Sequence, residues 1–272
     1  MVSNTPNAPN APKWPADAGH LHAQAHWRCI DFISDLHLHD GLPLTLAALA
    51  QHLATTNADA VLLLGDIFEA WVGDDMRSQP FEAQCTQMLA QAGRRLHLGL
   101  MVGNRDFLVG HDMITACHAH ALPDPTVLHA FGQQALLIHG DELCLADAPY
   151  LKFRTQVRSA AWQQVFTAQP LPQRLAQARQ MRQASMAKQQ GQQPETWADV
   201  DEGAARSWLQ AAQSSTLVHG HTHRPADEAF AGGTRHVLSD WDLDGGHGHA
   251  RAEVLRWTAD GWHRLSLTPV QT

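Results

Sequence analysis

Five short apolar runs recur along the chain, and each gives way to a small polar cluster, most of them beside a glycine. They read RCIDFISDLHL (28–38), ADAVLLLGD (58–66), LHLGLMVGNRD (96–106), QALLIHGD (134–141) and STLVHGHTH (215–223). Each has the length of a strand and is dense in Val, Ile and Leu, the composition of a strand covered on both faces. Between the first two, LPLTLAALAQHLAT (42–55) places Leu46, Leu49 and Leu53 at helical spacing. This alternation predicts an α/β fold with ligands collected where strands end. From TRHVLSDWD (234–242) to WHRLSLTP (262–269) the pattern changes to short strands and turns.

Two stretches break the rhythm. Residues 1–27 carry Pro6, Pro9, Pro12 and Pro15 among Asn and Ala, without periodicity. They read as a disordered extension in which His20, His22 and His26 have nothing to position them. The remaining 28–272 reads as one domain with an insertion at about 148–194. That insertion holds seven cations (Lys152, Arg154, Arg158, Arg174, Arg179, Arg182 and Lys188) and neither Asp nor Glu. The net charge of the chain is −8, so the rest of it carries −15. Phe153, Val157, Trp162, Phe166, Leu171 and Leu175 make the insertion amphipathic, and Pro170 and Pro172 divide it into at least two helices. A helical cap on an acidic α/β body is expected.

Charge and composition narrow the function. The acidic body argues against a general affinity for nucleic acid. No apolar stretch of about 18 residues is present to cross a membrane. The N-terminus lacks the basic start and apolar run of a secretory signal. Cys29, Cys85, Cys117 and Cys144 are far apart, with no CxxC, which reads as reduced thiols of a cytosolic protein.

The polar clusters carry the chemistry. Asp35 and His37 follow the first run, Asp66 the second, Asn104 the third, His139 the fourth, and His219, His221 and His223 the fifth. Alternate residues of an extended chain point the same way, so VHGHTHRP (218–225) aims at least two imidazoles at one place. A single Asp or Asn is as readily a turn residue or helix cap. Five clusters after five separate runs point instead to metal. Together they outnumber the positions around one ion that must also bind substrate. They suit two ions about 3.5–4 Å apart, joined by a carboxylate and holding a hydroxide for in-line attack at phosphorus. Oxygen and imidazole donors without thiolate favour Mn2+ or Fe2+, with Zn2+ open.

The order D-x-H, GD, GNRD, HGD, HGHTH, spanning residues 28 to about 245, resembles the calcineurin-like metallophosphoesterase superfamily. The resemblance implies a two-sheet α/β/β/α sandwich, with the insertion as its helical cap. It implies that Asp35, His37 and His223 bind one metal, that Asp66 bridges, and that Asn104, His139 and His221 bind the second. His219 then stands behind them without ligating. The narrower stretches LLLGDIFEAWVGDD (62–75), VGNRDFLVG (102–110), HGDELCLADAPYLKFR (139–154) and HGHTHRP (219–225) resemble the UDP-2,3-diacylglucosamine pyrophosphohydrolase family of the lipid A pathway.

That family resemblance implies cleavage of the pyrophosphate in UDP-2,3-diacylglucosamine to UMP and 2,3-diacylglucosamine 1-phosphate. It implies two Mn2+ per chain and a peripheral position at the cytoplasmic face of the bacterial inner membrane. Asp66, Asn104 and Arg105 are then the catalytic residues. The substrate contacts are Asn104, Arg105, Asp147, Tyr150, Arg182, Ser185, Lys188 and His221. No protein or nucleic-acid partner is implied. Past Ser185 the likeness fades, and the N-terminal extension and SDWDLDG (239–245) depart from the family pattern.

Two observations on the residues themselves agree with a pyrophosphate. Many relatives carry histidine where Arg105 stands, and arginine cannot donate a proton at neutral pH. A sugar phosphate leaves without one, because its second pKa is about 6, and arginine neutralises its charge. The basic, apolar insertion suits a substrate with an anionic head and two acyl chains in an anionic membrane, which attracts cations at about 1 kcal/mol each. Arg174, Arg179 and Lys188 are expected on its membrane-facing side. Two alternatives stand. A general nucleotide or dinucleotide polyphosphate metallophosphatase would not need the apolar insertion. A non-enzymatic protein-binding scaffold would have little reason to hold all seven ligands.

Overall fold

Two mixed sheets of six strands lie face to face at the centre of the molecule. The computed structural model describes residues 12–189, 198–246 and 250–267, without the side chains of 185–189. In chain order the strands are β1 (Gly19–His22), β2 (Cys29–Ile33), β3 (Ala60–Leu64), β4 (His97–Met101), β5 (His120–Ala121), β6 (Thr126–Ala130), β7 (Gln133–Leu137), β8 (Thr216–His219), β9 (Ala226–Phe230), β10 (Gly233–Val237), β11 (Glu253–Thr258) and β12 (Gly261–Ser266). The helices are α1 (Pro43–Thr55), α2 (Pro80–Gly93), α3 (His111–Ala116), α4 (Ala148–Val157), α5 (Ala160–Thr167), α6 (Leu171–Gln189) and α7 (Glu202–Ala211). One sheet has the order β1-β6-β7-β8-β10-β9, the other β12-β11-β2-β3-β4-β5. Strands β2, β3 and β4 are parallel, as are β7 and β8.

Strand β3 shows why the runs lack alternation. Ala60, Leu62 and Leu64 join Phe32, Leu128, Leu137 and Trp257 between the sheets. Val61 and Leu63 pack on the opposite face with Leu49 and Leu53 of α1 and Leu89 of α2. On the far side of the sandwich, Trp208 and Leu209 of α7 cover Val127, Leu136 and Leu217. Both faces of each central strand therefore need apolar side chains, each buried Leu or Val contributing about 1.5–3 kcal/mol. The layering is α/β/β/α, as the family resemblance implies. Helix α1 buries Leu46, Leu49 and Leu53, and Asp244 of SDWDLDG accepts the N–H groups of Leu44 and Thr45 at its first turn, both at 2.9 Å.

The expectation of disorder through residue 27 is corrected over its second half. Gly19–His22 forms β1 and pairs in parallel with β6, from Gly19↔Thr126 to His22↔His129. Trp27 is buried between the sheets. The Trp208 indole donates to the Pro12 carbonyl at 2.9 Å, with Trp14 edge-on beside it. A four-residue strand that covers an open sheet edge is held by backbone pairing, so it leaves almost no periodic trace. Residues 1–11 lie outside the described residues.

Helices α4, α5 and α6 occupy the insertion between β7 and β8. Arg158 ends the first and Ser159 caps the second, its hydroxyl accepting the Trp162 N–H at 3.3 Å. Residues 190–194 lie outside the description. No helix among the described residues is long and apolar enough to cross a membrane, and the four cysteines are free and buried.

Candidate active site

The five polar clusters meet at one end of the sandwich, where β2, β3 and β4 of one sheet and β7 and β8 of the other finish. Asp35, His37 and His223 form one group of potential ligands and Asp35, Asp66 and His139 another, with the ligand atoms of each group within 4.8 Å of one another. His37 Nε2 stands 3.2 Å from His223 Nε2 and 4.0 Å from Asp66 Oδ2. His223 Nε2 is 3.4 Å from Asp35 Oδ1. On the other side, Asp66 Oδ1 is 3.7 Å from His139 Nε2. Asn104 Oδ1 lies 3.0 Å from His139 Nε2 and 2.8 Å from His221 Nδ1. All seven residues expected as ligands are thus brought together. His219 joins neither group; it is fully buried, and its Nδ1 donates to the Gly220 carbonyl at 2.8 Å.

Sharp turns directly after the strands achieve this convergence. Asp35, His37, Asp66, His221 and His223 have φ of 53°, 46°, 53°, 64° and 54°. Left-handed backbone costs an L-residue about 1–2 kcal/mol, less for Asp and His, and persists where the surroundings over-determine it. Close approach sets the glycines of the motifs. A Cβ on Gly103 would come within 2.2 Å of Asp66 Oδ1, and one on Gly220 within 2.2 Å of Asp35 Oδ2. Asp106, fully buried, accepts the N–H groups of Gly103 at 2.7 Å and Ile67 at 2.8 Å, and so ties the β3 and β4 loops together. Asp35 accepts the His221 N–H at 2.9 Å and joins the two sheets. His139 Nδ1 donates to the Leu64 carbonyl at 2.9 Å, which leaves the Nε2 lone pair facing Asp66 and Asn104.

The electrostatics fit bound cations. Burial, with Asp106 and Asp35 close by, pushes Asp66 up to about 7 although His139 opposes it. Burial disfavours charge on His139, yet Asp66, Asp141 and Asp35 push it up to about 9. Burial and the charge of His139 push His221 down to about 3. Without an ion the nearby carboxylates draw a proton onto His139; a divalent ion would supply that positive charge instead and free the imidazole to ligate. Asn104 makes the same point. With its nitrogen inward it would donate to both rings and to Asp66 Oδ2 at 3.2 Å; with its oxygen inward it suits a shared cation. Two carboxylates, one amide oxygen and four imidazoles match a pair of first-row divalent ions.

Arginines line the rim. The Arg105 N–H donates to Asp66 Oδ1 at 2.7 Å, and its guanidinium is 3.9 Å from Asp66 Oδ2 and 3.8 Å from Glu69 Oε1. Arg182 of α6 reaches the same Glu69, Nε to Oε1 at 2.5 Å. Glu69 Oε2 also lies 3.5 Å from His37 Nδ1. The Tyr150 phenol donates to Asp141, and its ring stacks on His221 with centroids 6.2 Å apart. Arg154 donates to Asp141 at 2.9 Å and Arg158 to the Gly103 carbonyl at 2.9 Å. Asp147 is the N-cap of α4, accepting the Tyr150 N–H at 3.2 Å. The Ser185 and Lys188 side chains lie outside the described residues. Sequence reasoning singled out neither Asp106, Glu69, Asp141 nor Asp240, whose carboxylate is 3.7 Å from His223 Nδ1. Their only signal was adjacency to the ligand motifs.

Arg174 departs from its expected membrane-facing position. Its side chain is 3% exposed, donates to the Val72 and Gln169 carbonyls and pairs with Asp75. It faces the body because only a long cation there satisfies that carbonyl and carboxylate together, and it ties the cap down. Part of the apolar stripe is also used in packing, since Val157 and Phe166 are buried. Among the described residues the exposed large hydrophobics are Phe153, Val165 and Met181, all on the cap helices.

Residues 30–225 match the family model of the calcineurin-like phosphoesterases. A UDP-2,3-diacylglucosamine hydrolase of Ralstonia nicotianae is 43% identical over 238 residues, covering 83% of this chain and 87% of that protein. The protein of the same name from Xanthomonas axonopodis pv. citri is 41% identical over 242 residues, covering 85% and 95%. That of Bordetella parapertussis is 42% identical over 219 residues, covering 78% and 84%.

Proposed function

Because the chain belongs to the calcineurin-like phosphoesterases and, within them, to the UDP-2,3-diacylglucosamine hydrolase family, we propose that it cleaves the pyrophosphate of UDP-2,3-diacylglucosamine. The products are UMP and 2,3-diacylglucosamine 1-phosphate, a step of lipid A synthesis. The observation that supports this beyond family membership is the pair Arg105 and Arg182, drawn from body and cap and meeting at Glu69 beside the ligand cluster. Two guanidinium groups suit a pyrophosphate, which carries charge on both sides of the scissile bond.

In this mechanism Asp35, His37, Asp66 and His223 would hold one Mn2+, and Asp66, Asn104, His139 and His221 the other. The ions, when bound, polarise the phosphoryl oxygens and provide a nucleophile at neutral pH. Arg105 neutralises charge on the departing sugar phosphate and transfers no proton. Arg182 orients the other phosphoryl group from the cap. Tyr150 packs on His221 and holds its ring. Asp147, Ser185 and Lys188 complete the head-group contacts on α4 and α6. Phe153, Val165 and Met181, with exposed Lys152 and Arg179 on the same helices, receive acyl chains at an anionic surface. Each buried methylene contributes about 0.8 kcal/mol, so residues 148–194 serve as a lipid-binding insertion and the protein works at the cytoplasmic face of the inner membrane.

The test is incubation with UDP-2,3-diacylglucosamine and Mn2+, followed by identification of the nucleotide released. UMP is expected. UDP, or no turnover, would sink the proposal. UDP-N-acetylglucosamine at matched Mn2+ is the control; equal efficiency on it would indicate a general nucleotide pyrophosphatase.

A further inference from the structure

A second set of imidazoles lies outside the catalytic end. Strand β1 exposes His20 and His22 on one face and turns Leu21 inward. His129 of β6 stands directly opposite His22 in the parallel register. His20 Nδ1 is 3.2 Å from His129 Nε2, and the His22 ring stacks on His129 with centroids 4.2 Å apart and planes 7° from parallel. Strand β6 runs antiparallel to β7, so these rings sit at the opposite end of the sheet from His139. Neither the mechanism nor the core uses them.

We propose that His20, His22 and His129 form a separate site for one borderline transition-metal ion, of the Zn2+, Ni2+ or Cu2+ class, which fastens the N-terminal arm to the sandwich. Metal–imidazole bonds of about 2.0–2.1 Å set nitrogens about 3.3 Å apart along a tetrahedral edge. His20 and His129 already stand at that separation. The His22 ring is exposed and lies flat on His129, so binding requires it to turn out of that stack to offer a nitrogen as the third donor. Burial, with His22 and His20 alongside, holds His129 below the ordinary imidazole value, so it offers a neutral lone pair. Three imidazoles with no oxygen donor select Zn2+, Ni2+ or Cu2+ over Mn2+, which distinguishes this site from the catalytic one. Beyond the four-residue β1–β6 ladder, the arm is held here by Gly19 N–H to Pro125 O at 2.9 Å, Ala23 N–H to His129 O at 2.8 Å, and the Pro12 contact. An ion joining His20 to His129 would span a sequence separation of 109 residues and restrict the arm strongly.

The experiment uses the full, untagged chain and titrates Zn2+ against a chromophoric chelator in wild type, His129→Ala and His22→Ala. Each variant is expected to bind one fewer equivalent of Zn2+ than wild type while its Mn2+-dependent hydrolysis is unchanged. Equal stoichiometry in all three would overturn the proposal and leave only a hydrogen-bonded imidazole pair. Trypsin cleavage after Lys13 gives a second readout that does not involve activity. Zn2+ should slow it in wild type and not in His129→Ala; identical cleavage in both, with and without Zn2+, would also overturn the site.

Discussion

The strand-end loops and the helical cap are built by opposite means. The loops are buried, carry their side chains on left-handed backbone and are tied together by carboxylates accepting backbone N–H groups, as Asp106 and Asp35 do. The cap is basic, keeps exposed apolar side chains, and is held to the body by a few arginines: Arg154 on Asp141, Arg158 on Gly103, Arg174 on Val72 and Asp75, and Arg182 on Glu69. Reaction chemistry needs positions fixed to fractions of an ångström, which a sheet edge supplies. Selection of a flexible lipid needs a surface that can adjust. Substitutions in the loops should therefore act on kcat for every substrate, and those in the cap on KM for the acylated one.

The largest effect is expected at the bridging position. Asp66→Asn keeps the shape but removes charge shared by two cations, and kcat should fall by roughly 10³ or more with the thermal transition retained. Full turnover in Mn2+ would contradict a two-metal centre. His221→Ala should approach that loss, whereas His219→Ala should keep more activity; equal losses would mean that His219 ligates. Next comes Arg105→Ala, expected to lower kcat roughly 10²-fold. Arg105→His should not restore it, since a neutral imidazole carries no charge; wild-type rates for the histidine variant would show that a proton is needed after all.

Cap substitutions should be milder and selective. Arg174→Met removes a buried tie, and KM for the diacyl substrate should rise several-fold while hydrolysis of UDP-N-acetylglucosamine stays level. A matching fall in both would place Arg174 with the chemistry. The smallest effect concerns a residue outside both regions. Burial, with His120 beside it, holds His97 down to about 4. An unfolded histidine titrates near 6.5, so the unfolded chain takes up a proton that the folded chain refuses between about 6.5 and about 4. Stability contributed by neutral His97 is therefore lost as pH falls through that window. His97→Gln should flatten the fall in Tm between pH 7 and pH 4.5; an unchanged slope would assign the acid sensitivity to the catalytic end instead.

The candidate ligand cluster was legible because each member follows a largely buried strand, and such strands show as short runs rich in Val, Ile and Leu. Residue type at a strand end then states the chemistry. Asp106 and Glu69 were not legible, since an Asp or Glu that organises backbone or pairs with arginine looks the same in sequence as one on a solvated turn. Arg174 was misplaced for a related reason. On a short amphipathic helix a long cation at the edge of the apolar stripe can turn either way, and only the Val72 carbonyl and Asp75 across the gap decide it. Strand β1 was missed because four residues at a sheet edge are specified by the neighbour they pair with.

The five left-handed residues of the candidate site have a consequence for anyone engineering this protein. Glycine would relax each of those backbones by about 1 kcal/mol, so an inactive variant can outlast the active enzyme in a heat challenge. Under the proposed two-metal mechanism, screens that reward thermal survival alone would drift toward inactive variants at Asp35, His37, Asp66, His221 and His223. A durable, working enzyme has to be sought with those five positions held constant and turnover scored in the same assay.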